Sequence, residues 1–144
     1  MFKLINAVQK TNAGFTVSLM RIGMGWILFT EGSGKLWGWF HGPGIASTIA
    51  FYDHLHVPFS PFHGYIVGCI EFICGILFLA GLFTRLAAVP VLCSQIGFIV
   101  IIAYLSQDLH NAHMLSMTIS LVLLQEGAGP LSLDRLMAPD QKVG

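Results

Sequence analysis

The chain has 144 residues, of which 55% are hydrophobic and 10% charged, and its seven basic and seven acidic residues leave no net charge. Soluble domains carry about 25% charged residues, so this composition excludes an ordinary soluble domain and indicates an integral membrane protein. The balanced charge argues against nucleic acid as a partner, and the length allows one compact membrane domain over residues 1–144.

The first predicted span, residues 15–40, exceeds the ~20 residues that a helix needs to cross a bilayer. It contains Arg21, Glu31 and Lys35. Ionisable groups at membrane depth cost roughly 2.5–3.5 kcal/mol each and normally face a protein interior or a wet cavity. We therefore expect this helix to pack against others.

Glu31 and Lys35 are four residues apart and share one helical face, where they can pair. Two interpretations stay open. The pair is either a structural contact that fixes helix packing or part of a buried site that handles protons or a ligand.

A glycine- and proline-containing segment, HGPG at residues 41–44, ends this helix. Residues 45–55 (IASTIAFYDHL) then predict a short helix along the membrane surface, since they are too few to cross it. Three further spans follow at about 63–83, 86–105 and 109–126, with Glu71 in the second and Gln95 in the third. The predicted fold is an all-α polytopic membrane four-helix bundle with a short interfacial helix in the first outer loop.

Basic residues set the expected orientation. In a four-span arrangement one side carries all the basic residues outside the spans, which are Lys3, Lys10, Arg85, Arg135 and Lys142. The opposite loops, residues 41–62 and 106–111, contain no lysine or arginine. Because cytoplasmic loops are enriched in these residues, we expect both termini in the cytoplasm.

Counting residues along the helices places three charged side chains at a similar depth in the membrane. Glu31 and Glu71 both lie roughly 12–14 Å beneath the outer helix ends, and Lys35 is within reach of each. A Glu31–Lys35–Glu71 cluster has one surplus negative charge, so either one carboxyl is protonated, or Arg21 or a water-filled pocket compensates. Such a cluster is a candidate proton or ligand site.

Histidines are concentrated in the outer loops, and His63 and His113 begin the two inward-running spans. No recognised metal-ligand spacing occurs, so we predict no metal site. Histidines at helix ends are most often structural or titrating surface groups. Binding of a quinone headgroup is a second interpretation, and axial ligation of haem is the least favoured.

On the cytoplasmic side we expect two structural ion pairs. Arg21 lies near the start of the first span and Glu126 ends the fourth, so the two can meet. Arg85 and Asp134 can pair in the same region, with little effect on stability if they are exposed.

Three sequence segments carry a family resemblance. These are GKLWGWF followed by HGPG at residues 34–44, Glu71 with LFTRLAA at 82–88, and GAGPLSLDRL at 127–136. In this order they resemble the DoxX family of small membrane proteins, over nearly the whole chain.

The resemblance implies a four-helix protein of the bacterial or archaeal cytoplasmic membrane. It also implies a link to redox complexes, including the small membrane subunit of a thiosulfate:quinone oxidoreductase and assemblies involved in thiol stress. Lys35, Glu71, Arg85, Asp134 and Arg135 match the family's pattern. Two positions depart from it: Glu31 stands where relatives often have histidine, and NAH at residues 111–113 stands where they often have glutamate.

Three functions follow as hypotheses. The first is a membrane subunit of a quinone-linked redox complex that anchors other oxidoreductase subunits and shapes a quinone site. In that case Lys35 donates to a quinone oxygen and a glutamate relays protons. The second is a non-catalytic scaffold or assembly factor. The third, a transporter, is disfavoured because the spans show no inverted repeat. We expect no intrinsic cofactor and no catalysis by the chain alone, and homo-oligomers are compatible with all three.

Overall fold

The computed structural model describes residues 13–105, 111–129 and 131–133. Within these ranges the elements are α1 (Ala13–Trp37), a 3-10 turn (Trp39–His41), α2 (Gly44–His54), α3 (Ser60–Ala80), α4 (Thr84–Leu105) and α5 (Asn111–Glu126). The predicted all-α fold class is confirmed, with four long helices and a short one between the first two of them. The ends of the long helices differ from the expected spans by no more than three residues.

A glycine at the end of α3 allows the chain to reverse into α4. Gly81 ends α3 in the left-handed conformation, at φ 68°. Its N–H donates to the Phe78 carbonyl, and the N–H of Leu82 donates to the Leu77 carbonyl. This pair of bonds satisfies the last carbonyls of a helix while the chain reverses. As a result α4 begins at Thr84 and runs back along α3.

The distribution of polarity is that of a protein in lipid. Two helices, Ser60–Ala80 and Thr84–Ile101, are long and apolar enough to span a membrane by themselves. Buried positions include Arg21, Glu71 and Gln95. Large apolar side chains point outward from each long helix, namely Leu19, Ile22, Trp26, Ile27, Ile66, Ile73, Ile76, Leu86, Val89, Ile96, Val100, Leu115 and Leu121. In a bilayer this outward face contacts lipid, and polar groups are kept inside the bundle.

Glycines bring α1 and α3 into direct backbone contact. A Cβ on Gly32 would overlap the backbone nitrogen of Phe72, and a Cβ on Gly75 would overlap that of Phe29. Small residues allow membrane helices to approach this closely. Because Lys35 lies one turn beyond Gly32, and Glu71 precedes Phe72, this contact brings the lysine to the carboxylate.

The short helix α2 covers one end of the bundle. Its Thr48 hydroxyl donates to the Gly44 carbonyl at 2.9 Å and contacts the Lys35 carbonyl at 3.4 Å. The side chain of Ile49 packs against Gly64 of α3, with its Cγ1 3.1 Å from where a Cβ on that glycine would stand. This packing turns Tyr52 inward, where it is 3% exposed. We call this the α2 end.

Candidate functional site

Lys35 joins two carboxylates at the α2 end. Its Nζ lies 2.6 Å from Glu71 Oε2 and 3.3 Å from Glu31 Oε2. The side chains of Glu31, Lys35 and Glu71 are 60%, 20% and 6% exposed, respectively. The three charges that the helix depths predicted to be close are therefore in contact, and they are arranged from the surface inward.

A cavity of about 420 Å³ adjoins this cluster. All five helices, α1 to α5, contribute residues to its wall. The lining residues are Glu31, Lys35, Pro43, Ser47, Thr48, Phe51, Tyr52, Val67, Glu71, Ser94, Gln95, Phe98 and His113. Its volume lies within the range of ligand pockets, which are typically apolar with a few convergent polar groups.

Gln95 and His113 form a second polar group in the cavity wall. His113 Nδ1 lies 2.7 Å from Gln95 Oε1, and because an amide oxygen only accepts, the imidazole nitrogen is the donor. The Phe98 ring packs on His113 with centroids 4.1 Å apart. The bond orients the amide so that its NH₂ is the group available as a donor.

Tyr52 is a cavity residue that sequence reasoning missed. Burial raises the pKa of its hydroxyl to about 12, with a further contribution from the negative charge of Glu71. The hydroxyl therefore stays protonated at physiological pH and can donate a hydrogen bond. Its sequence position, on the apolar stripe of an interfacial helix, gave no indication that it faces inward.

Of the predicted ligand-site residues, His63 lies outside the cavity. Its Nδ1 donates to the Phe59 carbonyl at 3.3 Å. Across the described ranges, no three His, Cys, Asp or Glu side chains come together as a metal-binding group.

The predicted ion pair between Arg21 and Glu126 is not among those found between described residues. Both ion pairs found between described residues involve Lys35. Arg21 is buried and donates from Nη2 to the Leu131 carbonyl at 2.5 Å, whereas Glu126 is exposed. The guanidinium turns to a backbone carbonyl because residues 131–133 fold back over α1. Asp134, the predicted partner of Arg85, lies outside the described residues, and Arg85 donates to the Gln125 carbonyl at 3.0 Å.

Comparisons with known proteins agree on the family. The DoxX family model matches residues 16–104. A Mycobacterium tuberculosis protein named as an uncharacterized membrane protein, Rv3486, is 34% identical over 102 residues, which are 60% of this chain and 63% of that protein. A Bacillus subtilis protein named "Putative oxidoreductase CatD" is 30% identical over 128 residues, covering 88% of this chain and 90% of the relative. No solved structure matches the chain significantly.

Proposed function

Because the chain belongs to the DoxX family of membrane proteins, we propose that it is an inner-membrane subunit of a quinone-linked redox complex. The cavity at the α2 end holds the quinone headgroup. The observation that carries this proposal is the convergence of charged and polar side chains on an otherwise apolar cavity of about 420 Å³. The name of the Bacillus subtilis relative, an oxidoreductase, supports a redox role.

The residues that line the cavity match the chemistry of a quinone ring. A quinone is a flat apolar ring with carbonyl oxygens that accept hydrogen bonds. Phe51, Phe98 and Val67 supply apolar contact. The donors are the Lys35 ammonium, the Tyr52 hydroxyl and the Gln95 amide.

Reduction of a quinone takes up two electrons and two protons. The Lys35 ammonium stabilises negative charge that develops on a ring oxygen, as preorganised donors do in other enzymes. Glu71, 2.6 Å from Lys35, relays protons to the same oxygen. Electrons come from a partner subunit of the complex, as in a thiosulfate:quinone oxidoreductase, and this chain anchors that partner.

The proposal includes an orientation. Both termini lie in the cytoplasm, so the α2 end faces the opposite, outer side. The loop of residues 41–62, which includes α2, contains no lysine or arginine, and this supports the assignment.

A second function, a non-catalytic scaffold or assembly factor, is favoured by one observation. The Lys35–Glu71 pair joins α1 to α3 beside their glycine contact, where a purely structural pair would stabilise helix packing. Under this alternative the charges fix the register of the two helices, and the cavity is filled by lipid.

Titration of the purified full-length protein in nanodiscs with short-tailed ubiquinone and menaquinone analogues separates the two. The double variant Lys35→Met with Glu71→Gln, which leaves neither buried charge unpaired, is compared with Glu126→Gln, which changes an exposed glutamate at the opposite end of the bundle. We expect both variants to insert and to copurify with the same partners, and the double variant to bind quinone more weakly and to lose quinone reduction in membranes. Loss of insertion or of partners in the double variant supports the scaffold. A wild-type protein that binds neither analogue contradicts the quinone site.

A further inference from the structure

We propose that Glu31 is the group through which protons pass between the aqueous surface at the α2 end and the buried Lys35–Glu71 pair. The inference rests on the proposed function only in that quinone reduction consumes protons. The route itself is present without a quinone. Exposure falls from 60% at Glu31 to 20% at Lys35 and 6% at Glu71. The three groups thus form a graded path from the surface of the bundle to its interior.

Each step of the path is a direct contact. Lys35 Nζ is 3.3 Å from the Glu31 carboxylate and 2.6 Å from the Glu71 carboxylate. Proton transfer between side chains requires heavy atoms within hydrogen-bond reach. The longer outer contact belongs to the more exposed acid.

A second cavity adjoins the outer acid. It has a volume of about 280 Å³ and is formed by α1 and the segment that follows it, with Thr30, Gly34, Trp39 and His41 in its wall. Glu31 and Pro43 line both this cavity and the larger one. Glu31 therefore stands between the two spaces.

The transfer is balanced. A proton from water forms an O–H bond on the Glu31 carboxylate. One N–H bond of the Lys35 ammonium breaks, and its proton goes to Glu71. The resulting amine takes the proton from Glu31, which restores the ammonium and the carboxylate. The net change is one proton moved from water to Glu71, and nothing is oxidised or reduced.

Hydrogen–deuterium exchange at the Lys35 ammonium tests this route without any quinone. The full-length protein carries ¹⁵N-labelled lysine in nanodiscs, and decay of the Lys35 Nζ–H signal is followed after transfer to D₂O. Its resonance is identified by its loss in Lys35→Met. We expect Glu31→Gln to slow exchange about a hundredfold, since a positioned acid–base group contributes roughly 10²–10⁴ in rate.

Glu31→Asp and Glu126→Gln are the matched comparisons. Aspartate keeps a carboxylate at the surface position, so it should recover most of the rate, and Glu126→Gln should exchange like the wild type. Exchange in Glu31→Gln at the wild-type rate overturns the inference and points to a path past His113 or Tyr52, which line the same cavity. A wild-type protein that binds no quinone analogue refutes the proposed function and leaves the exchange result standing.

Discussion

The two ends of the bundle each contain a basic side chain drawn inside, but their surroundings differ. Lys35 lies between two carboxylates beside a cavity. Arg21 is 2% exposed and donates to the backbone carbonyl of Leu131, and its guanidinium occupies the space that a Cβ on Gly81 would need. Carboxylates can take up and release protons, whereas a peptide carbonyl does not. The Lys35 end therefore has titratable groups and space for a ligand side by side.

The Arg21 end is instead a structural anchor. The Leu131 N–H lies 3.4 Å from the Ser18 hydroxyl, which accepts its hydrogen bond, and Arg85 bonds to the last turn of α5. These contacts attach residues 131–133 to α1 and tie α5 to α4. The difference between the two ends leads to four expectations.

The largest expected effect is on stability, at the Arg21 end. Arg21→Met removes the buried guanidinium and its hydrogen bond to the Leu131 carbonyl, and it should reduce the free energy of unfolding by about 3 kcal/mol. Unfolding in mixed detergent micelles measures this change, with Glu126→Gln, an exposed side chain at the same end, as the control. The folded fraction should bind quinone analogues with wild-type affinity. A variant that unfolds like the wild type would show that this end is not an anchor.

At the α2 end the larger effect should be on binding. The double substitution Lys35→Met with Glu71→Gln removes both buried charges together, so neither is left unpaired, and the fold should be retained. Loss of a charged hydrogen bond to the ligand should cost about 2 kcal/mol, or roughly thirtyfold in Kd. Calorimetric titration in nanodiscs measures the affinity. Wild-type affinity in the double variant would contradict a role for this pair in the ligand site.

The sequence allowed prediction of what depends on helix geometry alone. The rise per residue is nearly constant, so the levels of Glu31, Lys35 and Glu71 followed from counting residues from the helix ends. The four long helices followed from apolar length. Helix rotation could not be obtained in this way, because the bundle is apolar on both its inner and outer faces.

Rotation explains the residues that were missed or misplaced. Tyr52 faces the cavity because Ile49 packs against Gly64, a contact between elements that no local pattern encodes. The Gln95–His113 bond depends in the same way on how α4 and α5 face each other. Arg21 bonds to Leu131 because the chain turns back after α5, whereas the sequence pattern predicted only the end of that helix.

Tyr52→Phe tests the residue that only the structure identified. Loss of the hydroxyl should weaken quinone binding by about 1 kcal/mol, or roughly fivefold. Burial raises the pKa of the Tyr52 hydroxyl from 10.0 to about 12, and this shift makes the stability of the protein depend on pH. The unfolded chain loses this proton first, so the wild type should lose stability relative to Tyr52→Phe as the pH rises from 10 to 12. Parallel unfolding curves over that pH range would show that the hydroxyl is not buried.

The smallest effect is expected for the acid at the cavity entrance. Glu31→Gln removes the outer partner of Lys35, and exposed ion pairs contribute roughly 0–1 kcal/mol. We therefore expect the free energy of unfolding to fall by less than about 1 kcal/mol, far less than for Arg21→Met. The same micelle assay measures it, with Glu126→Gln as the matched control. A loss comparable to that of Arg21→Met would mean that Glu31 is covered in the assembled protein. In that case a second copy or a partner would seal the α2 end, and water would have to reach Lys35 by another path.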